Sequence, residues 1–374
     1  MLRRFLPVLL ALPLLAFAQV PQPPQVVGRA WMVADVSSGQ ILAAEKPDER
    51  FEPASLTKLM TAYLVFAALK EKKLALEEQV RASEKAWRAP GSRMFIEPNK
   101  PVTVDELIRG MIVQSGNDAC IALAERIAGS EEAFAGMMNR EAERLGMKNS
   151  RFMNASGLPD PQHYSTARDL HLLATALIRD FPERYAQYYS QREYRYNGIT
   201  QMNRNRLLWL DDSVDGMKTG FTEAAGYCLV ASSKRGSRRL LSVLLGSTSE
   251  TTRAQESQKL LNWGFQFYDA VRLYAGGAAV KEIEVWKGAK PTLKAGFRAD
   301  LVVSVPKGQG ERLKAELLSL SPLVAPVAEG TRVGNLRVTL DGKPLGEYAV
   351  VALEAVEPAG LFGRAWDTLR LWFK

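Results

Sequence analysis

Three short motifs follow one another along the chain and constrain its fold more than any other feature. The first pairs Ser55 with Lys58, the second pairs Ser115 with Asn117, and the third is the run Lys-Thr-Gly at 218–220. Helix residues three apart lie on one face, so Lys58 can reach the serine if the pair is helical. The third motif is typical of a strand edge, where its glycine leaves room for close approach. The fold must therefore bring a helix, a connector and a strand edge together around one site.

A single Ser-x-x-Lys pattern carries little weight, because it is expected about once by chance in a chain of this length. Ser304 and Lys307 also match it, yet Pro306 and the neighbouring valines favour a strand or loop, where the two side chains would not share a helical face. Taken alone, Lys58 would be a solvated helix charge and the second motif a turn between helices. The complete triplet in order is much less expected by chance.

The spacing of apolar residues predicts which elements carry the motifs. A helical pattern starts at Ser55, directly after Pro53, and continues to Ala68, which puts the serine near the positive end of the helix dipole. A capping box over 103–106 opens a helix that should end near Gln114, so the second motif is a connector. Further predicted elements are helices over 119–127 and 253–263 and β-hairpins over 30–44 and 226–245.

The length of the chain and a change in its pattern indicate two domains. After about residue 272, short strands such as 301–305 and 336–340 alternate with turns, including an Asp-Gly hairpin signal at 341–342. We therefore predict an α/β (α+β) first domain over 27–268, with an antiparallel sheet flanked by helices. A small β-rich domain should follow over 272–357.

Residues 1–18 have the features of a secretory signal peptide. Arg3 and Arg4 precede an apolar stretch over 5–15, and Ala-Phe-Ala at 16–18 provides a cleavage site of small residues. The alternative, a transmembrane anchor, is disfavoured because this stretch is short and interrupted by prolines. We therefore expect an exported protein.

Charge and cysteine content narrow the possible partners. The net charge is +8, but acidic and basic residues are spread along the chain, which does not resemble a nucleic-acid footprint. A basic exported protein suits an anionic membrane or wall instead. The two cysteines, Cys120 and Cys228, could form a disulfide after export. Both lie in apolar sequence, so buried free thiols are the simpler expectation.

The segment 360–374 is predicted to form an amphipathic helix. Its apolar arc contains Leu361, Phe362, Ala365, Trp366, Leu369, Trp372 and Phe373. Across from this arc lie Arg364, Asp367, Arg370 and Lys374, and Leu371 breaks the pattern. Aromatic residues with interspersed arginine favour a helix that lies in the membrane interface, where each basic residue adds about 1 kcal/mol near anionic lipid. The alternative is a helix packed against its own β-rich domain.

Several segments outside the triplet strengthen its meaning. They are residues 154–158, 163–169, 203–205, 226–229 and 260–265. With the triplet, which is the signature of penicillin-binding proteins and serine β-lactamases, they resemble the D-alanyl-D-alanine carboxypeptidases, the low-molecular-mass penicillin-binding proteins that trim the cell-wall stem peptide. The similarity covers nearly the whole mature chain. It implies a β-lactamase/transpeptidase-like catalytic domain, a β-rich C-terminal domain and a terminal membrane anchor.

Acyl transfer from an amide needs a nucleophile, a base, a proton donor for the leaving amine and donors for the oxyanion. Ser55 is the candidate nucleophile, and Lys58 is the base if burial and a second ammonium, Lys218, depress its pKa. Ser115 can pass a proton to the departing amine. Asn117 can orient Lys58 and the substrate backbone through its amide.

The third motif and the resemblance supply the remaining site residues. Substrate should add as an extra strand along 218–220, with Gly220 leaving room for it and Thr219 bonding the terminal carboxylate. The resemblance implies that Arg253 also binds this carboxylate, although a surface ion pair is the alternative for it. It further implies an oxyanion hole made by the backbone N–H groups of Ser55 and Phe221.

Other catalytic mechanisms are disfavoured. The only histidines, His163 and His171, lack metal-ligand spacing, so neither a metal nor another cofactor is expected, and His163 should be structural. The E-x-x-L-N glutamate motif of class A β-lactamases is missing after the second motif. We therefore predict a serine D-Ala-D-Ala carboxypeptidase that acts on peptidoglycan stem pentapeptides, is acylated covalently by β-lactams, and lies peripherally on the periplasmic face of the inner membrane. The alternatives are a D,D-endopeptidase of cross-links, a weak β-lactamase or an inactive wall-binding scaffold.

Overall fold

The computed structural model describes residues 22–372, so the predicted signal over 1–18 and the last two residues of the chain lie outside the described part. The described chain forms two domains, each with its own hydrophobic core. The first has a five-stranded sheet with helices on both faces, and the second is built mainly from strands. This architecture confirms the predicted fold class.

The helices and strands are bounded as follows. The helices of the first domain are α1 (Lys58–Lys70), α2 (Glu84–Trp87), α3 (Val104–Val113), α4 (Asn117–Ala128), α5 (Glu131–Arg144), α6 (Ala167–Asp180), α7 (Pro182–Tyr188), α8 (Leu207–Leu210) and α9 (Glu250–Phe267). Its strands are β1 (Ala30–Asp35), β2 (Ile41–Glu45), β3 (Gln79–Val80), β4 (Val102–Thr103), β5 (Glu193–Tyr196), β6 (Ile199–Met202), β7 (Val214–Thr222), β8 (Gly226–Arg235) and β9 (Arg238–Ser247). The second domain contains β10 (Tyr268–Tyr274), β11 (Ala279–Trp286), β12 (Thr292–Gly296), β13 (Leu301–Pro306), β14 (Leu313–Ser319), β15 (Leu323–Val324), β16 (Arg332–Leu340) and β17 (Lys343–Ala352), and α10 (Leu361–Trp372) follows it.

The main sheet is antiparallel, with strand order β2-β1-β9-β8-β7, which leaves β7 at an edge. Side chains of β9 alternate between its two faces, as the strand repeat requires. Leu241 and Val243 join the core that contains α1 and α6, whereas Leu240 and Leu244 pack with apolar residues of α9. The sheet is thus covered on both faces while the edge strand that carries the third motif stays open.

The helix predicted to start at Ser55 is divided into two parts. A 3-10 turn spans Ala54–Thr57, closed by a hydrogen bond of 3.0 Å from the Leu56 N–H to the Pro53 carbonyl, and α1 follows it. Ala54 adopts a φ of 46°, a left-handed conformation that an α-helix cannot contain. The serine therefore lies on a tight turn before the helix.

The other predicted elements of the first domain are present. The capping box at Thr103 and Glu106 opens α3, which ends before Gln114 as predicted. Helix α4 begins at Asn117, inside the predicted connector, because Gly116 is its N-cap. Helix α9 extends beyond the predicted range at both ends, with Ser249 as its N-cap. Both predicted hairpins are confirmed as β1–β2 and β8–β9.

The second domain contains a six-stranded sheet of order β14-β16-β17-β12-β11-β15 and a two-stranded sheet of β10 and β13. The Asp-Gly signal at 341–342 forms the hairpin between β16 and β17, as predicted. Ser304 lies on β13, so the second Ser-x-x-Lys match is indeed on a strand. Its backbone is bonded to both ends of the Gln40 amide, and its hydroxyl lies 2.8 Å from that of Ser38. These bonds join the two domains.

The two cysteines are free and buried, as predicted. Burial raises the pKa of the Cys120 thiol to about 12 and that of the Cys228 thiol to about 11. Helix α10 is present where an amphipathic helix was predicted. Among residues 22–372, none of the helices combines the length and hydrophobicity needed to cross a bilayer.

Candidate active site

A cleft of about 430 Å³ runs along the open edge of β7 and brings the three motifs together. Seven of the nine predicted site residues line it, and the two lysines are buried in its wall. The predicted residues on its surface are Ser55, Ser115, Asn117, Thr219, Gly220, Phe221 and Arg253. The fold thus assembles residues from the 3-10 turn, the α3–α4 connector, β7 and α9.

The Lys58 amine makes hydrogen bonds to three groups around the cleft. Its Nζ is 3.0 Å from the Ser55 hydroxyl, 2.7 Å from the Asn117 side-chain oxygen and 2.6 Å from the Ser156 carbonyl. The side chain is 1 % exposed. These three hydrogen bonds hold the amine in place.

Burial is the main reason why the pKa of Lys58 falls from 10.5 to about 8. Cys120 and the Asp118 carboxylate oppose this shift, and the positive charge of Arg204 adds to it. Lys218, which the sequence suggested as the second cause, is not among these groups. Repulsion between the two lysines instead lowers the pKa of Lys218, which burial already holds well below its ordinary value.

The second motif places Ser115 and Asn117 on either side of Gly116, the N-cap of α4, and both line the cleft. Ser115 is almost fully buried and has a φ of 63°, a conformation that few residues other than glycine adopt. The Asn117 amide is held from both ends, because its Oδ1 accepts from Lys58 and its Nδ2 donates to the Pro90 carbonyl at 2.7 Å. One amide hydrogen of Asn117 is therefore occupied by the protein itself.

The third motif lies on the edge strand, as the sequence predicted. Lys218 is buried, and its Nζ donates to the Thr219 carbonyl at 3.0 Å. A side chain at Gly220 would meet the Pro53 carbonyl at 3.0 Å and Ala54 Cβ at 3.3 Å. The glycine thus lets the 3-10 turn that carries the serine approach β7, a purpose that the sequence did not indicate.

Arg253 and Phe221 lie at one end of the cleft. Arg253 is 5 % exposed, and its guanidinium donates to the Arg204 carbonyl at 3.3 Å and approaches the Glu250 carboxylate at 3.4 Å. It also lies over the ring of Tyr227, which packs at a tilt against Phe221 with ring centres 4.4 Å apart. The ion pair with Glu250 is long, so Arg253 retains hydrogen-bonding capacity toward the cleft.

Sequence reasoning missed several residues of the site. Arg204 lines the cleft and Ser156 offers its carbonyl to Lys58, yet both were noted only within segments of family resemblance. An arginine or a serine in a loop does not by itself indicate a contact with an active site. His163 has its Nε2 2.9 Å from the hydroxyl of Thr57, and burial lowers its pKa to about 4, so the ring is neutral and supports the turn.

Comparisons with known proteins agree with this geometry. The sequence profile of the D-alanyl-D-alanine carboxypeptidase family matches residues 17–249, and that of the penicillin-binding protein 5 C-terminal domain matches 268–358. The chain is 44 % identical to the D-alanyl-D-alanine carboxypeptidase DacC of Escherichia coli over 96 % of this chain and 92 % of that protein. It is 40 % identical to DacA of the same strain, with 95 % of this chain and 90 % of that protein covered.

Among solved structures, penicillin binding protein 5 from Haemophilus influenzae superposes with a TM-score of 0.85 and 40 % identity, covering 90 % of this chain and 99 % of that one. The likeness extends over both domains. The chain therefore belongs to the D-alanyl-D-alanine carboxypeptidase family.

Proposed function

We propose that this protein removes the terminal D-alanine from peptidoglycan pentapeptide stems through an acyl-enzyme on Ser55. β-Lactams acylate the same serine, and the resulting acyl-enzyme is hydrolysed slowly. The observation that carries this proposal is the set of three partners around the Lys58 amine.

The partners of Lys58 differ in what they can offer. The Asn117 oxygen and the Ser156 carbonyl can only accept hydrogen bonds, so they take both hydrogens of a neutral amine. The lone pair then faces the Ser55 hydroxyl, which can donate. A pKa of about 8 keeps part of the enzyme in this neutral form near pH 7. This arrangement suits Lys58 for general-base catalysis.

The proposed reaction starts when the Ser55 hydroxyl gives its proton to Lys58 and its oxygen attacks the carbonyl of the penultimate D-alanine. The backbone N–H groups of Ser55 and Phe221 stabilise the oxyanion. Ser115, which lines the cleft, relays the proton from Lys58 to the departing amine, and D-alanine leaves. Water then hydrolyses the acyl-enzyme, which frees the shortened stem and the serine.

Substrate binding uses the edge of β7 and the cationic end of the cleft. Because β7 is an edge strand of the main sheet, an extended peptide can add to it as a further strand. Thr219 and Arg253 bind the free terminal carboxylate, and the bidentate fork of arginine fits it. Arg204 is exposed and lines the cleft, so its positive charge favours an anionic group there.

The test is D-alanine release from a short peptide ending in D-Ala-D-Ala, with Ser55→Ala as the control. Release that disappears in the control supports both the activity and the nucleophile. If folded wild-type protein releases no D-alanine and takes up no fluorescent penicillin, the proposal is wrong. Cleavage of cross-linked muropeptides alone would favour the endopeptidase.

We further propose that the protein is exported and lies peripherally on the membrane through α10. The polar side of this helix faces its own domain, since Asp367 accepts the Lys287 N–H at 2.7 Å and Arg370 lies over the Trp286 ring. Its apolar side points outward, with Phe362 94 % exposed. A large apolar face turned to solvent fits a membrane interface.

A flotation assay with vesicles of zwitterionic and anionic phospholipid tests this second proposal. The chain ending at Gly360 should stay with the buffer yet keep its peptidase activity. Replacing Trp366 on the apolar face with serine should weaken flotation, whereas Thr368→Ser on the helix should not. Flotation of the shortened chain at the full level would contradict anchoring by α10.

A further inference from the structure

The loop over residues 90–96 forms one wall of the cleft and is tied to the start of α4. Gly91 and Ser92 line the cleft. The Asn117 N–H donates to the Ser92 carbonyl at 2.7 Å, and the Asn117 side chain donates to the Pro90 carbonyl. The amide that contacts Lys58 is therefore also bonded to this loop.

Asp118, the next residue, holds the far end of the same loop. Its Oδ1 accepts the Met94 N–H at 2.9 Å, and its Oδ2 accepts the N–H groups of Phe95 and Ile96 at 2.8 and 3.2 Å. The carboxylate is fully buried and has no ion-pair partner within 4 Å among the described residues. Its hydrogen bonds to backbone are thus its main stabilising contacts.

These bonds matter because an asparagine side chain can rotate by about 180° and exchange the positions of its oxygen and nitrogen. With Nδ2 fixed on Pro90, only Oδ1 can face Lys58. If the loop moved away, the amide could turn its N–H₂ toward the amine, and the lone pair of Lys58 would accept from Asn117 instead of from Ser55. The orientation of the base toward the serine depends on the loop being in place.

We propose that Asp118 is a positioning residue for the reaction, which acts through the loop 90–96 and the Asn117 amide to direct the Lys58 lone pair at Ser55. This inference rests on the proposed role of Lys58 as the base. Gly116 is part of the same arrangement, since a side chain there would meet Asp118 Oδ1 at 2.8 Å and the Met94 nitrogen at 3.2 Å.

Asp118→Asn tests the proposal, because it keeps the side-chain volume but turns one acceptor into a donor facing two N–H groups. The matched control is Asp169→Asn. Asp169 is also a buried aspartate in the first turn of a helix and accepts a loop N–H, that of Asn149 at 2.8 Å, yet it does not line the cleft.

The measurement is the rate of acylation by a fluorescent penicillin from pH 6 to 10, with the full chain and per titrated active site. In Asp118→Asn the acylation rate on the high-pH plateau of the profile should fall at least about tenfold. The rise of the rate with pH, which reports the deprotonation of Lys58, should move to lower pH. The pKa of Lys58 falls because the amine loses the nearby negative charge of Asp118 and because its charged form loses the Asn117 oxygen as an acceptor. The Asp169 control should stay within about twofold of wild type at every pH.

Other outcomes are distinguishable. If the pH at which the acylation rate rises shifts while the plateau rate is unchanged, Asp118 has only an electrostatic role and the proposal is overturned. An unchanged pH profile with a smaller fraction of active enzyme would also overturn it. Absence of acylation in wild type would instead refute the proposed function.

A second measurement serves if Asp118→Asn does not fold. In wild-type protein the Phe95 and Ile96 amides should exchange hydrogen as slowly as the amides within α4. Rapid exchange of both would overturn the proposal.

Discussion

The rate of Ser55 acylation should rise about tenfold between pH 7 and pH 9, because the proposed base must be neutral to accept the serine proton. With a pKa of about 8 for Lys58, the neutral fraction is about 9 % at pH 7 and about 91 % at pH 9. Burial sets this pKa, so the profile reports how well the amine is shielded from water.

The assay is the second-order rate of labelling by fluorescent penicillin at constant ionic strength, with circular dichroism to show that the fold persists at each pH. Lys58→Arg is the companion variant, because a guanidinium stays protonated throughout this range. It should show no labelling at any pH. A flat wild-type profile from pH 6 to 9, or labelling of Lys58→Arg at the wild-type rate, would refute the reasoning.

The same shift has a consequence for stability. The folded-state pKa of Lys58 lies below its ordinary value of 10.5, so folding disfavours the charged form and the unfolding free energy rises with pH through this interval. The gain amounts to about 3 kcal/mol between pH 7 and 10.5, at about 1.4 kcal/mol per pKa unit. Urea titrations of wild type and Lys58→Met should differ in pH dependence by this amount. An equal dependence in both proteins would contradict the depressed pKa.

Three further predictions concern the scaffold. Gly157→Ala should destabilise the fold by about 3 kcal/mol or more in urea titrations, because its φ of 84° and the adjacent Ala54 carbonyl leave no space for a methyl group; wild-type stability would contradict this. Asp35→Asn should cost about 3–5 kcal/mol in the same assay, since it leaves the Arg238 guanidinium, 13 % exposed, without its carboxylate; a loss below about 1 kcal/mol would show that water compensates the charge. Both thiols should resist a disulfide reagent at pH 8 until urea unfolds the protein, since burial raises their pKa to about 12 and about 11; fast labelling of folded protein would indicate local opening.

The sequence alone determined the features that depend on short-range spacing. The capping box at Thr103, the hairpin at 341–342 and the amphipathic pattern of α10 all follow from neighbouring residues, because helix and strand periods relate positions only a few residues apart. The three motifs likewise indicated the chemistry of the cleft, since few combinations of side chains can perform acyl transfer.

Only the tertiary structure decided how these parts meet. The Lys58 amine contacts Asn117 and Ser156, which are 59 and 98 residues away in sequence, and one of these contacts is to a main-chain carbonyl that every residue type carries. No residue pattern can reveal such a partner. The burial that lowers the pKa of Lys58 is likewise a property of the packed core.

Gly220 and α10 also show the difference between what the sequence indicates and what the tertiary structure decides. The sequence indicated that the glycine permits a close approach, but the packed fold decided that the approaching group is the turn carrying Ser55. The sequence also indicated an apolar and a polar face for α10. Contacts of Asp367 and Arg370 with the β-rich domain decided which face points outward, because helix orientation depends on a surface formed by residues distant in sequence.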